Sequence, residues 1–472
     1  MLAQLYKDNV WIKVVAPDYV HNVIAKRLEY RINPAQLRII NARRGSRWNG
    51  VCNDLYQNNR FLTGMLEVVA YELDQKGIQY KLIDTRDKSH QVTPKIVYPI
   101  RLGDITLYDY QEQTVKRFFK AVRGVAKLAT GAGKTECAIA IAKILERPTL
   151  FMTNRVNLVY QTAQRFADRW PEAKDGIGIV GNSQFSPSFL TFATVQTLHS
   201  ALKKHPEETK ELLSSFGLLI IDEAHRVGAK QFYETAQHCT AAIYRLALTA
   251  TPFMSGNFDD NMYLLGTTGP VFHEVSNDEL IKRGILAKPF FRFITIDQPY
   301  MKPSRNDSWN DIYVAGIINN VYRNNVICTE TQTLIKMNRK PLIICSRVEH
   351  CKNLAKLFDH AGIKAKVVMG ANTYAERKKA LNALSKGRTD AIIATTIFDE
   401  GVDAKEIDAV VMAAGNRASV PIYQRVGRAI RKKEIDNNAV ILDFIDKQHP
   451  KLYRQSAQRY HTVRNEKGFV II

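Results

Sequence analysis

Cysteine is scarce in this chain. The six thiols (Cys52, Cys137, Cys239, Cys328, Cys345, Cys351) include no Cys-x-x-Cys pair, so the spacing offers neither a zinc site nor a disulfide framework. Long apolar runs are missing, and none approaches the roughly 18–20 residues of a membrane helix. The opening residues lack the basic start, apolar core and small-residue cleavage site of a signal peptide. The expected compartment is the reducing cytoplasm of a cell or of an infected host, with no membrane partner. Acidic residues are also in deficit: 46 Asp and Glu face 67 Lys and Arg, a formal net charge of +21. Such an excess favours a polyanionic partner. With 45% hydrophobic and 24% charged residues, the chain is not largely disordered. Its 472 residues suggest about three domains.

One pattern occurs twice. Apolar, largely β-branched runs such as Leu218–Ile221 and Tyr244–Thr249, then Pro341–Cys345 and Ala391–Thr395, alternate with helical stretches. Runs without polar alternation read as strands buried on both faces, hence parallel sheets in α/β layers. The reading is two doubly wound domains in tandem, over 101–297 and 313–472. A polar, Pro-interrupted linker, 298–312, separates them. Residues 1–100, with 15 Lys and Arg against 9 Asp and Glu, form a small separate α/β module. The basic tail after Gln424 is either a nucleic-acid-facing helix or a solvated one.

The sharpest signal is Thr130-Gly131-Ala132-Gly133-Lys134-Thr135, between a strand-like run and a helical one. Glycines let backbone N–H groups reach phosphate, Lys134 would neutralise the β- and γ-phosphates, and Thr135 would ligate Mg²⁺. Leu128 stands where the full motif has its first glycine. Asp222-Glu223-Ala224-His225 follows a buried strand, at the sheet edge where open α/β sheets bind ligands. Asp222 would hold Mg²⁺, Glu223 would activate water, and His225 would relay to a second site. Arg425, Arg428 and Arg431 recur every three residues, so one helical face carries a row of guanidiniums suited to a γ-phosphate.

Together these motifs resemble the superfamily-two helicases and translocases in their DEAH-type spelling, from about Tyr108 to Arg431. The resemblance implies two RecA-like domains that share ATP and Mg²⁺. It implies adenine contact for Gln111 and phosphate contact for Thr130, Gly131, Ala132 and Gly133. Phe151–Gln161 and Thr194–Leu198 resemble the strand-tracking motifs, giving Arg155, Thr194 and Gln196 as nucleic-acid contacts. Thr249-Ala250-Thr251-Pro252 resembles the coupling motif, with Thr249 and Thr251 in that role. In the second half, Ile344–Arg347 implies a strand contact for Arg347, and Ala394–Asp403 implies one for Thr395, with Gly401 and Asp403 at the nucleotide. Gln424–Arg431 implies catalytic Gln424, Arg428 and Arg431.

Short phage recombination helicases of the UvsW type are the nearest in layout, and Arg44–Gly50 and Asn59–Leu66 resemble parts of their N-terminal module. Arg43, Arg44, Arg47 and Trp48 form a basic cluster with one stacking-capable ring. The resemblance implies a monomer that remodels branched or forked DNA without sequence preference. An RNA or RNA–DNA helicase, and a duplex translocase that does not unwind, are the alternatives.

Overall fold

The computed structural model describes residues 2–32, 34–44, 48–222, 229–250, 258–304, 308–395, 407–415 and 437–472. They form two compact units, 1–275 and 276–472.

The first unit opens with the small module. Its strands are β1 (Ala3–Lys7), β2 (Trp11–Val15), β3 (Tyr56–Gln57), β4 (Arg60–Leu62) and β5 (Tyr80–Asp84), in sheet order β3-β4-β2-β1-β5. Helices α1 (Asp18–Leu28), α2 (Pro34–Arg44) and α3 (Leu66–Gln75) accompany it. Alternate strand residues Leu5, Ile12, Val14 and Phe61 face inward, against Val20, Ile24 and Leu28 of α1 and Val69 and Leu73 of α3.

An eight-stranded sheet follows, built from β6 (Arg123–Leu128), β7 (Thr149–Thr153), β8 (Ile177–Gly181), β9 (Gln184–Ser186), β10 (Leu190–Thr194), β11 (Leu218–Asp222), β12 (Tyr244–Thr249) and β13 (Val271–Val275). The order is β9-β8-β10-β7-β11-β12-β6-β13, and only the β8–β9 pair is antiparallel. Among the helices around it are α4 (Asp109–Ala121), α5 (Lys134–Leu145), α6 (Val156–Arg169), α7 (Val195–Lys204), α8 (Ala229–Ala236) and α9 (Phe258–Thr268). Strand β7 serves both faces: Leu150 and Met152 join one core with Leu198 and Phe232, while Phe151 meets Phe166 of α6 at 6.0 Å. Burial on both faces is what the uninterrupted apolar runs predict.

The module is welded to this sheet rather than merely tethered. Tyr30 and Asp54 hydrogen-bond Tyr263 of α9. Arg123 of β6 donates to the Asn9, Thr267 and Thr268 carbonyls. Gly64 packs so close that a Cβ there would lie 2.2 Å from the Leu265 carbonyl oxygen.

The second unit holds a seven-stranded parallel sheet: β14 (Lys288–Ile296), β15 (Pro341–Cys345), β16 (Ala365–Val368), β17 (Ala391–Thr395), β18 (Ala409–Val411), β19 (Asn438–Asp446) and β20 (Val470–Ile471), in order β16-β17-β15-β18-β19-β14-β20. Helices α10 (Trp309–Tyr313), α11 (Val321–Lys336), α12 (Val348–His360) and α13 (Pro450–Arg464) belong to it. Both sheets are RecA-like α/β layers, as the sequence implies.

Two expectations shift. The first domain was bounded at 297, but β14 pairs with β19 along all nine of its residues, so this segment belongs to the second sheet. Within the expected linker, Trp309–Ile312 begin α10, which packs with Leu452 of α13. No helix among the described residues is long and apolar enough to cross a membrane.

Candidate nucleotide site and strand-facing edge

In the first sheet β11, β12 and β6 are parallel neighbours, so their C-terminal ends open on one edge. The register sets Asp222 opposite Leu248, and Leu248 opposite Ala126, two residues before β6 ends and leads into the glycine loop. Gly131 and Gly133 have φ of 88° and 79°, a left-handed backbone that glycine adopts at little cost. Gly133 caps α5, whose first residues are Lys134 and Thr135. A Cβ at 133 would lie 2.1 Å from Gln111 Nε2. Among the described residues, the Lys134 ammonium is held by a single 3.5 Å contact to the Leu128 carbonyl, while Thr130 and Thr135 are half-buried. A helix N-terminus behind a glycine turn, with a lysine free to swing, suits a phosphate chain.

Gln111 behaves differently from a residue waiting for a base. It is buried, accepts from the Tyr108 N–H at 2.9 Å and donates to the Ala132 carbonyl at 2.9 Å. Tyr110 reaches the same carbonyl at 3.2 Å, and the Ala132 N–H bonds Ala129. The upstream element therefore braces the glycine loop. Sequence reasoning missed two residues here. Glu136, buried in the first turn of α5, pairs with Arg165 of α6 at 2.5 Å. An acid in the first turn of a phosphate-facing helix was the available signal. Cys137 is inert, since burial pushes its thiol up to about 12.

Two candidate strand contacts of the first unit, Arg155 and Gln196, follow neighbouring parallel strands and so lie on this same edge. Arg155 is exposed at the start of α6, and the exposed Gln196 donates to the Asn154 carbonyl at 3.3 Å, tying the first turn of α7 to the loop after β7. Thr194 does not face solvent: it is buried, and its hydroxyl caps α7 by accepting from the Thr197 N–H. Thr249 ends β12, fully buried. In the module, Arg43 and Arg44 close α2, and half-buried Trp48 exchanges two backbone hydrogen bonds with the Asn41 amide.

The second unit has its own polar centre. Arg323 donates to Asp446 at 2.8 Å and to the Ala413 carbonyl at 2.9 Å. Arg459 bonds Asp443 through two nitrogens and reaches the Gly415 carbonyl at 2.9 Å. All four side chains are 2% exposed or less. Helix α13 thus buries Leu452, Ser456, Arg459 and Val463 instead of lying solvated. His350 is buried nearby, and burial with the Arg323 charge lowers it to about 3. Arg347 is exposed at the start of α12, while Thr395 is buried at the end of β17. Arg47, Glu223, His225, Thr251, Gly401, Asp403, Gln424, Arg428 and Arg431 lie outside the described residues.

Residues 104–254 match the family model described as the res subunit of type III restriction enzymes, and residues 323–433 match the helicase conserved C-terminal domain. The chain belongs to the superfamily-two helicases. This ATP-dependent helicase is 25% identical over 409 residues to the DNA 3′-5′ translocase XPB2 of Sulfurisphaera tokodaii, across 78% of this chain and 88% of that one. Its fold is similar to the Pyrococcus furiosus Hef helicase domain, with TM-score 0.53 and 17% identity over 75% of this chain and 98% of that one. Against T4 UvsW the TM-score is 0.48 and the identity 18%, over 100% of this chain and 99% of that one.

Proposed function

We propose that this helicase uses ATP to remodel branched DNA, migrating junctions, regressing forks and unwinding displaced-strand loops. The observation that carries the reading is the edge where the glycine loop, Asp222 and Thr249 end three neighbouring parallel strands. The choice of DNA rests on the +21 charge and on the relative named as a DNA translocase. The choice of branched DNA rests on the N-terminal module, its basic cluster and its resemblance to the UvsW type.

Lys134 neutralises the β- and γ-phosphates, and the N–H groups of Thr130, Gly131, Ala132 and Gly133 line the chain behind it. Gln111 reads the adenine only if its bond to Ala132 is exchanged. The donor set fits Mg²⁺: the Thr135 hydroxyl and Asp222 carboxylate are hard oxygens beside a loop whose Gly133 leaves no room for a Cβ. Bound there, the ion supplies neutralising charge at the phosphates. Glu223 takes the proton of the attacking water, and Gln424, Arg428 and Arg431, with Gly401 and Asp403, complete the site from the second domain. Their charge-assisted bonds favour a closed state with ATP, and hydrolysis removes that preference. His225, Thr249 and Thr251 pass the change to a strand held by Arg155, Gln196 and Arg347, largely through its phosphates. Thr194 and Thr395, both buried, shape their loops. Arg43, Arg44, Arg47 and Trp48 engage the branch.

A panel of a mobile four-way junction, linear duplex and RNA duplex, each with ATP, tests this. Conversion of the junction to forked products supports the proposal. Stimulation by RNA alone, or ATP turnover on duplex with no strand separation, would refute it in favour of an RNA helicase or a non-unwinding translocase.

A further inference from the structure

Helix α10 opens with Trp309 and Asn310 behind the N-cap Ser308. One turn on, Tyr313 sets its ring 5.7 Å from that of Trp309, tilted by 43°. Tyr313 is buried; its hydroxyl donates to the Ala414 carbonyl and pairs with the Ser346 hydroxyl at 2.8 Å. These bonds fix the ring against the end of β15. Arg347 follows Ser346, lies with its guanidinium 5.3 Å from the Tyr313 ring centre, and donates to Asn310 Oδ1 at 2.7 Å. One helical turn therefore orients both an exposed cation and an exposed indole.

Trp309 is 38% exposed, whereas Trp170 is buried and Trp11 and Trp48 are half-buried. Its neighbours Ile312, Ile317 and Ile318 are buried with Leu452, so the core beneath is complete without the indole. A large ring left in water beside a fixed guanidinium has the chemistry of a single-strand grip: a π-face for a base and a positive charge for its phosphate. Because Tyr313 and Asn310 already hold the parts, little freedom is lost on binding.

We propose that Trp309 stacks on a base of single-stranded DNA while Arg347 holds the adjoining phosphate, which makes α10 part of the strand-binding surface. The proposal rests on the strand-holding role given to Arg347 above. Charge complementarity favours nucleic acid over a protein partner.

The test measures affinity of the full chain for an oligothymidylate and for an abasic strand of equal length, across a salt series. Trp309→Ala should weaken the thymidine strand about tenfold, Trp309→Phe should keep most of the affinity, and the abasic strand should not distinguish them. Arg347→Ala should weaken both strands and flatten the salt dependence by roughly 0.7 in slope, one phosphate's worth. If Trp309→Ala binds the thymidine strand as well as wild type does, or loses equally on the abasic strand, the stacking role is wrong and the strand-holding reading survives. If the wild-type chain binds neither strand, both fall.

Discussion

The nucleotide edge of the first unit and the polar centre of the second solve opposite problems. The first is made of backbone: glycines with positive φ, a helix N-terminus, and strand ends set by an apolar core. The second is made of buried charge, with Arg323 and Arg459 held by Asp446 and Asp443 and turned onto carbonyls of residues 413 and 415. A backbone cradle tolerates most neighbours but not an added Cβ. A buried ion-pair network tolerates extra atoms better than a missing charge, because the partner left behind stays desolvated.

That contrast can be broken experimentally, and the largest effect belongs to the lysine of the cradle. Lys134→Ala should lower steady-state phosphate release at least about 1,000-fold, since its ammonium faces developing phosphate charge. Native-like turnover in that variant would remove the cradle from catalysis. Next, Arg459→Ala should destabilise the second unit by about 3–5 kcal/mol in denaturant melts, and Arg459→Lys should recover part. An Arg459→Ala chain that melts like wild type would mean that the network is not a structural keystone. Gly133→Ala should cost about 1–3 kcal/mol in nucleotide affinity, from the left-handed backbone and the clash with Gln111. Adding Gln111→Ala should relieve the clash but not the backbone strain, so only partial recovery is expected in a nucleotide titration.

The smallest effect is on pH. His350 is held neutral, at about 3 against an ordinary 6.5, by burial and by the Arg323 charge. Between those values the unfolded chain binds the proton that the folded chain refuses. Stability is therefore full above about 6.5 and declines as pH falls towards 3. His350→Gln should flatten that part of the pH–stability curve, as read by thermal melts at several pH values.

The same contrast explains what the sequence makes legible. Strand runs such as Leu218–Ile221 and Pro341–Cys345 can be read directly, because burial on both faces leaves no polar alternation. The glycine loop and Asp222 are readable because phosphate chemistry constrains residue type and spacing together. The boundary at 275 is not, because Phe290, Phe291 and Phe293 would suit either sheet and the choice is made by pairing with β19, about 150 residues away. Thr194 carries a hydroxyl at the right place in the motif, yet whether it caps a helix or meets a ligand depends on the turn it enters. Arg459 sits in the buried stripe of Leu452, Ser456 and Val463, but in a tail with eleven basic residues a buried arginine looks like any solvated one. Its partner, Asp443, ends an apolar run and gives no local sign of pairing.

The central claim is that phosphate chemistry at the first unit's edge drives motion along DNA. It is tested most directly by following ATP hydrolysis and strand separation together on one mobile four-way junction, with wild type and Lys134→Ala side by side. The account predicts DNA-stimulated turnover and ATP-dependent junction resolution into forks by wild type, with both lost in the variant. Turnover indifferent to DNA, or junction resolution that persists without the lysine, would contradict it.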